Sequence, residues 1–215
     1  HHPFDPPADF LARYNADDMP LPKTKPGELD TKPTYQQLDG RFSHNDPDGY
    51  DMAKMTYRDK QEITAAYYAM IELIDKQVGR MVGTLEDTGQ LDNTIVIFMS
   101  DHGEMLGDHG FYLKGPHFYD EAVRVPLIIS WKDRIQSEVR ADCLMELIDI
   151  APTLLEASGI DIPDYIQGRS LMPILLGQAP ADRHRDYVFS EYYNAWTHKH
   201  SYGSMLRTRD EKVVV

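Results

Sequence analysis

Residues 94–117 gather Asp101, His102, Glu104, Asp108, His109, Lys114 and His117, a density of acid, imidazole and amine that few purely structural loops need. Asp101 and His102 directly follow an apolar, partly β-branched run, Ile95-Val96-Ile97-Phe98-Met99. A strand ending this way can send a carboxylate and an imidazole into one crevice if the chain kinks at Gly103. Together they offer mixed oxygen and nitrogen ligands to a divalent cation. Taken alone, Asp-His-Gly is equally a turn former whose carboxylate serves the backbone. Lys114 and His117 flank Gly115-Pro116 and can converge on one anion through charge-assisted hydrogen bonds, although a single Lys is usually just solvated. Glu104, Asp108 and His109 read as loop groups that serve backbone or solvent, and Arg124 as a member of a structural ion pair. Cys143 reads as a small buried residue. His1 is either the end of an upstream strand delivering an imidazole or the remnant of a tag.

The elements that must position these groups can be read from spacing. The run at 94–100 has the character of a buried parallel strand that presents polar residues at its carboxyl end. Before it, Ile63, Tyr67, Met70, Ile71, Ile74, Val78, Met81, Val82 and Leu85 recur at threes and fours, predicting an amphipathic helix over 60–88. Thr56 and Asp59 have capping-box spacing at its start, and Gly89 suits its end. Residues 125–131 predict a second buried strand. Asp149 is placed to cap a helix over 150–157, with Pro152 in its first turn and Gly159 beyond its end. A shorter helix is expected over 170–176, a polar linker over 178–185, and strands over 187–192, 205–209 and 213–215, the last two turning at Asp210-Glu211. Residues 1–50 contain Pro3, Pro6, Pro7, Pro20, Pro22, Pro26, Pro33 and Pro47. They read as a long surface loop with one helical turn near residues 9–14, ordered by its aromatic residues.

Composition narrows the function. Against 35 Asp plus Glu stand 22 Lys plus Arg, a formal net charge of −13 in 215 residues. Chains that bind nucleic acid normally carry the opposite balance, so nucleic acid is set aside as a partner. An anionic substrate would need a local patch of metal, Lys and His to overcome that field. The longest apolar run is about five residues, far below the roughly 20 that span a bilayer. The start at His1-His2-Pro3-Phe4 lacks Met and a leader-like segment, which reads as a truncation and leaves localisation open. Cys143 stands alone, so no intrachain disulfide forms.

Three stretches then resemble the second half of the sulfatase family, within the alkaline-phosphatase-like superfamily. They are Ser100-Asp101-His102-Gly103-Glu104-Met105-Leu106-Gly107-Asp108-His109-Gly110, Lys114-Gly115-Pro116-His117-Phe118-Tyr119-Asp120-Glu121 and Arg124-Val125-Pro126-Leu127-Ile128-Ile129. The start at His1 resembles that family's His-x-Pro segment. Asp149-Ile150-Ala151-Pro152-Thr153-Leu154-Leu155 resembles its following helix, and Gly168-Arg169-Ser170-Leu171 the turn after it. The resemblance implies an α/β sandwich with a mixed, largely parallel sheet. Residues 1–180 would be the C-terminal part of that domain, and 181–215 the start of a small antiparallel C-terminal subdomain.

Carried over by position, Asp101 and His102 match metal ligands, with His at 102 where many sulfatases have Asn. Lys114 matches the lysine on the sulfate ester and His1 the upstream sulfate-binding histidine; His117 is kept as a substrate-binding candidate. The implied cofactor is a divalent metal, calcium first and manganese second. The family's nucleophile is a formylglycine in a Cys/Ser-x-Pro-x-Arg motif, and neither that motif nor the N-terminal aspartate pair is present. Cys143 is followed by Met145 and Leu147 where the motif needs Pro and Arg. The expectation is thus a C-terminal part of a sulfatase acting on a sulfate-ester small molecule or saccharide, inactive by itself, with homo-oligomer formation open. Position 102 also fits phosphonate monoester and phosphodiester hydrolases, and a non-catalytic folded fragment or binding module is the third reading.

Overall fold

A computed structural model describes residues 3–41, 52–193 and 202–215. The longest element is the helix called for by the spacing of apolar residues. After the short α1 (Ala8–Leu11) and α2 (Thr34–Arg41), α3 runs over Tyr57–Asp87. Its capping box is formed: the Asp59 carboxylate accepts from Thr56 N at 2.7 Å, and the Thr56 hydroxyl accepts from Asp59 N at 3.2 Å. Gly89, at φ +66°, ends it in the left-handed conformation that glycine adopts without strain.

The buried face of α3 is shorter than its apolar stripe. Thr64, Ala65, Ala66 and Ala69 are buried, where α3 meets α1 and the turn at Ala16–Asp18, whereas Ile71, Ile74 and Met81 remain about half exposed or more. Small side chains allow close backbone approach there; the later turns are only partly covered, with Val78, Val82 and Leu85 half-buried.

Strand β1 (Val96–Met99) pairs with β2 (Leu127–Ser130) in the register Ile97↔Ile129 and Phe98↔Ile128. The pairing is antiparallel; a parallel neighbour for β1 is not among the described residues. A continuous apolar run says that both faces of a strand can be covered; it carries no information on direction. Between the strands the polar loop closes with α4 (Asp120–Val123).

Further along, α5 (Ile150–Ala157) and α6 (Met172–Leu175) lie where the sequence put helices. The C-terminal strands β3 (Val188–Tyr193), β4 (Tyr202–Arg207) and β5 (Lys212–Val214) form a three-stranded antiparallel sheet in that order. Two carboxylates clasp this sheet and the segment leading into it to the start of α5: Glu146 accepts from Phe189 N of β3 at 2.5 Å and lies 3.3 Å from Arg185 Nη1, and Asp149 makes the remaining bonds. Asp149 is fully buried and accepts from Arg185 Nε at 3.0 Å and its NH2 group, from Arg169 N at 2.7 Å and from Glu146 N at 3.0 Å; His184 Nε2 lies 3.2 Å away. The expected side-chain cap on α5 is therefore not made, because Arg185, from the stretch read as a linker, competes for that carboxylate with a bidentate charged pair. Burial alone would raise the Asp149 carboxyl; Arg185 and the two backbone N–H groups outweigh it and hold the carboxyl below its ordinary range.

The proline-rich segment is more regular than expected. It contains α2 and short turns at Ala16–Asp18 and Glu28–Thr31 besides α1. Residues 22–32 lie as a strap against the loop that follows β1.

Candidate active site

At the end of β1 the chain turns sharply. Gly103 N donates to Ala122 O at 2.8 Å, and a Cβ on Gly103 would sit 1.8 Å from Glu121 O. Only glycine fits so close to another backbone, which is why the polar pair at 101–102 is followed by this residue. Asp101 is 85% exposed in its side chain and His102 40%. His102 Nδ1 lies 2.9 Å from Gly103 O, so the tautomer that satisfies this bond carries its proton on Nδ1 and leaves Nε2 as a lone pair. That nitrogen is 3.8 Å from Asp101 Oδ2. A carboxylate oxygen and an imidazole nitrogen at that separation can flank a single cation, given ligand distances of about 2.0–2.6 Å. Among the described residues no group of three or more such ligands assembles around this pair.

The loop over 104–113 returns on itself. Met105 N donates to Leu113 O at 2.9 Å, and Glu104 Oε1 accepts from Leu113 N at 2.5 Å and from Leu106 N at 3.1 Å. These bonds form a neck that brings the residue after Gly103 beside the residue before Lys114. Burial pushes the Glu104 carboxyl up, against the two N–H groups that pull it down. Met105 and Phe111, both fully buried, fill the loop with Ala122, and Leu29, Tyr119 and Val123 pack on them. Backbone torsions inside are demanding: Leu106, His109 and Leu113 have φ of +47°, +57° and +65°. Such conformations persist in non-glycine residues only where the surroundings enforce them.

The strap supplies part of that enforcement. Lys23 N donates to Asp108 at 2.7 Å and His109 N donates to Lys23 O at 2.9 Å. His109 Nδ1 lies 2.7 Å from Glu28 Oε1, and the ring stacks on Tyr119 at 4.1 Å. The bond from His109 holds the Glu28 carboxyl below its ordinary range. Glu104 and Asp108 thus serve the backbone, as their sequence context suggested, whereas the His109 ring serves a carboxylate of the strap in place of backbone or solvent.

The remaining sequence candidates fall as follows. Lys114 is half-buried just past the neck. His117 is 2% exposed and stacks on Phe111 at 4.4 Å, within the wall of the loop. His1 lies outside the described residues. Arg124 is exposed, in no ion pair among the described residues. Cys143 is partly buried, and burial pushes its thiol up, away from nucleophilic use. Sequence reasoning missed the neck and the strap, since a carboxylate bonding to a backbone N–H nine residues away leaves no periodic trace.

Comparison with known proteins identifies the family and the fold. The sulfatase family model matches residues 1–160, and the model of the N-sulphoglucosamine sulphohydrolase C-terminal region matches 107–214. An N-acetylglucosamine-6-O-sulfatase of Bacteroides thetaiotaomicron is 34% identical over 198 residues, covering 89% of this chain and 34% of the relative. A phosphonate monoester hydrolase from Silicibacter pomeroyi superposes with a TM-score of 0.87 at 29% identity, over 100% of this chain and 45% of the other. A protein solved in complex with its substrate D-glucosamine-2-N,6-O-disulfate has a TM-score of 0.67 at 25% identity, covering 97% of this chain and 50% of the other. The chain belongs to the sulfatase family and has the alkaline-phosphatase-like α/β fold. It spans about a third of the length of the curated sulfatase and about half that of the solved structures.

Proposed function

We propose that this chain is the C-terminal part of a metal-dependent sulfatase that hydrolyses sulfate esters of a small molecule or saccharide. The observation that carries the reading is the donor pair at the end of β1, Asp101 Oδ2 and His102 Nε2 at 3.8 Å, in a chain of this family. Asp101 and His102 would hold a divalent cation, calcium in the first instance and manganese as the alternative, which when bound supplies Lewis-acid neutralisation of the ester oxygens. Lys114, held at the neck, would place its ammonium on the ester oxygen where negative charge grows. Fixed charges at such positions commonly dominate transfer catalysis. His1 would bind the same sulfate, on the strength of the His-x-Pro resemblance, and the nucleophile would come from outside this chain. The burial of His117 supports a packing role beneath Phe111 over contact with substrate.

In the longer enzyme, Lys114→Ala should lower kcat/KM by about 10²–10³-fold, the usual effect of removing one charge-stabilising donor. Near-normal turnover of the natural ester would refute the assignment. Calorimetry supplies a second readout: calcium should bind the unaltered enzyme and bind Asp101→Ala at least tenfold more weakly. Binding of manganese alone would exchange the metal without changing the site.

The high structural similarity to a phosphonate monoester hydrolase supports a second reading, hydrolysis of phosphonate monoesters or phosphodiesters. Matched sulfate and phosphonate esters of one phenol separate the two, the preferred class being the one with the higher kcat/KM.

A further inference from the structure

Resting on the role proposed for Lys114, we propose that Glu104 is a positioning residue that aims this lysine through the backbone N–H of Leu113. Both hydrogen bonds to the Glu104 side chain end on Oε1: from Leu106 N at 3.1 Å and from Leu113 N at 2.5 Å. The first fixes the start of the loop and the second its end, directly before Lys114. Leu113 has φ +65°, a conformation that a branched side chain does not hold by preference. Its carbonyl is used by Met105 N and its N–H by Glu104, so both halves of its backbone are tied across the neck. Releasing the N–H lets φ relax toward negative values. That rotation sits at the root of the Lys114 side chain, whose ammonium is about 6 Å from its own Cα on standard bond lengths, and it is amplified over that reach. Misplacement of a reacting group by about 1 Å can cost on the order of 10²-fold in rate.

The loop core alone does not do this work. Met105 and Phe111 fill the loop with their side chains and make no hydrogen bond to the Leu113 N–H, which is taken by Glu104. Nor does Glu104 need to touch substrate or metal, since the oxygen that defines its role is occupied by two backbone donors.

Reach and charge can be varied separately. Glu104→Gln keeps the acceptor oxygen at the same reach and removes the charge, whereas Glu104→Asp keeps the charge and shortens the reach by one methylene. In the longer, metal-loaded enzyme, Glu104→Gln should stay within about tenfold of the unaltered kcat and Glu104→Asp should lose about a hundredfold, with KM little changed in both. Amide exchange at Leu113, followed without metal, should quicken in Glu104→Asp and stay slow in Glu104→Gln. In a Lys114→Ala background, Glu104→Asp should cost less than about threefold, because a residue acting only through Lys114 has nothing left to aim.

The reverse order of the two variants would make Glu104 a charge-bearing participant and overturn the proposal, as would full additivity with Lys114→Ala. If Glu104→Asp does not fold, Glu104→Gln carries the test: a hundredfold loss of kcat there overturns it. Failure of the Lys114 reading shows itself separately, as near-normal activity of Lys114→Ala with Glu104 intact.

Discussion

Gly103 shows how narrowly one residue can be chosen. Its missing Cβ would lie 1.8 Å from Glu121 O and 2.9 Å from Glu121 C, both backbone atoms that cannot swing aside. Gly103→Ala must therefore push the start of α4 away from the end of β1, and with it the turn that carries Asp101 and His102. Overpacking of this kind costs about 1–3 kcal/mol or more, so the melting temperature should fall by several degrees, and calorimetric metal affinity should fall with it. An unchanged melting temperature would mean that α4 shifts freely. In the sequence, the glycine was legible as a kink after Asp101-His102; the reason for it was not, because Glu121 approaches from eighteen residues away.

At the level of elements, α3 was the most legible part. Its apolar spacing and the Thr56–Asp59 cap are local, and each is realised in the structure. The C-terminal turn at Asp210-Glu211 was legible for the same reason, as β4 and β5 flank it directly. Direction of pairing between β1 and β2 was not, since it depends on how a long loop returns. Nor was the clasp between α5 and the C-terminal sheet. Asp149 and Arg185 are 36 residues apart, and an Asp before an apolar helix reads as an N-cap unless a competing guanidinium is known to arrive. This clasp should be costly to break from one side. Asp149→Ala would leave Arg185, only 9% exposed in its side chain, with the Glu146 carboxylate at 3.3 Å as its remaining counter-charge, at a cost of about 3 kcal/mol, the low end for a broken buried pair. Amide exchange in β3 should rise together with the loss of stability. If β3 stays as protected as before, Asp149 does not hold the sheet.

For the whole molecule, four carboxylates held low among the described residues shape the response to acid, one of them Asp59 through its bonds to Thr56 at the start of α3. Asp149 and Glu28 are both held below the ordinary range. Asp120 is as well: burial would raise it, but Lys212 and Arg207 outweigh that effect. A depressed folded value means that each carboxylate stabilises the fold fully above its unfolded pKa of about 3.9–4.3, and that this contribution is lost as pH falls through the lower folded value. Stability should therefore be nearly flat, as far as these groups decide it, from pH 7 to 5 and decline steeply below about pH 4. Chemical denaturation across that range would check this, and Asp149→Asn should flatten the decline. The formal net charge of −13 at pH 7 works alongside these local contacts, because protonation of carboxylates below pH 4 reverses the sign of the overall field and adds self-repulsion among the cations.

The strap carries a consequence for how this loop can vary between related chains. Both of its bonds at Lys23 use main-chain atoms, the N–H to Asp108 and the carbonyl from His109 N. Any amino acid except proline can replace Lys23 and keep them. Pro20, Pro22 and Pro26 already restrict the path of the chain on either side, so the segment loses little freedom on docking. Substitutions at 23 should therefore drift almost without penalty, while Asp108, whose carboxylate has to be present, should tolerate almost none.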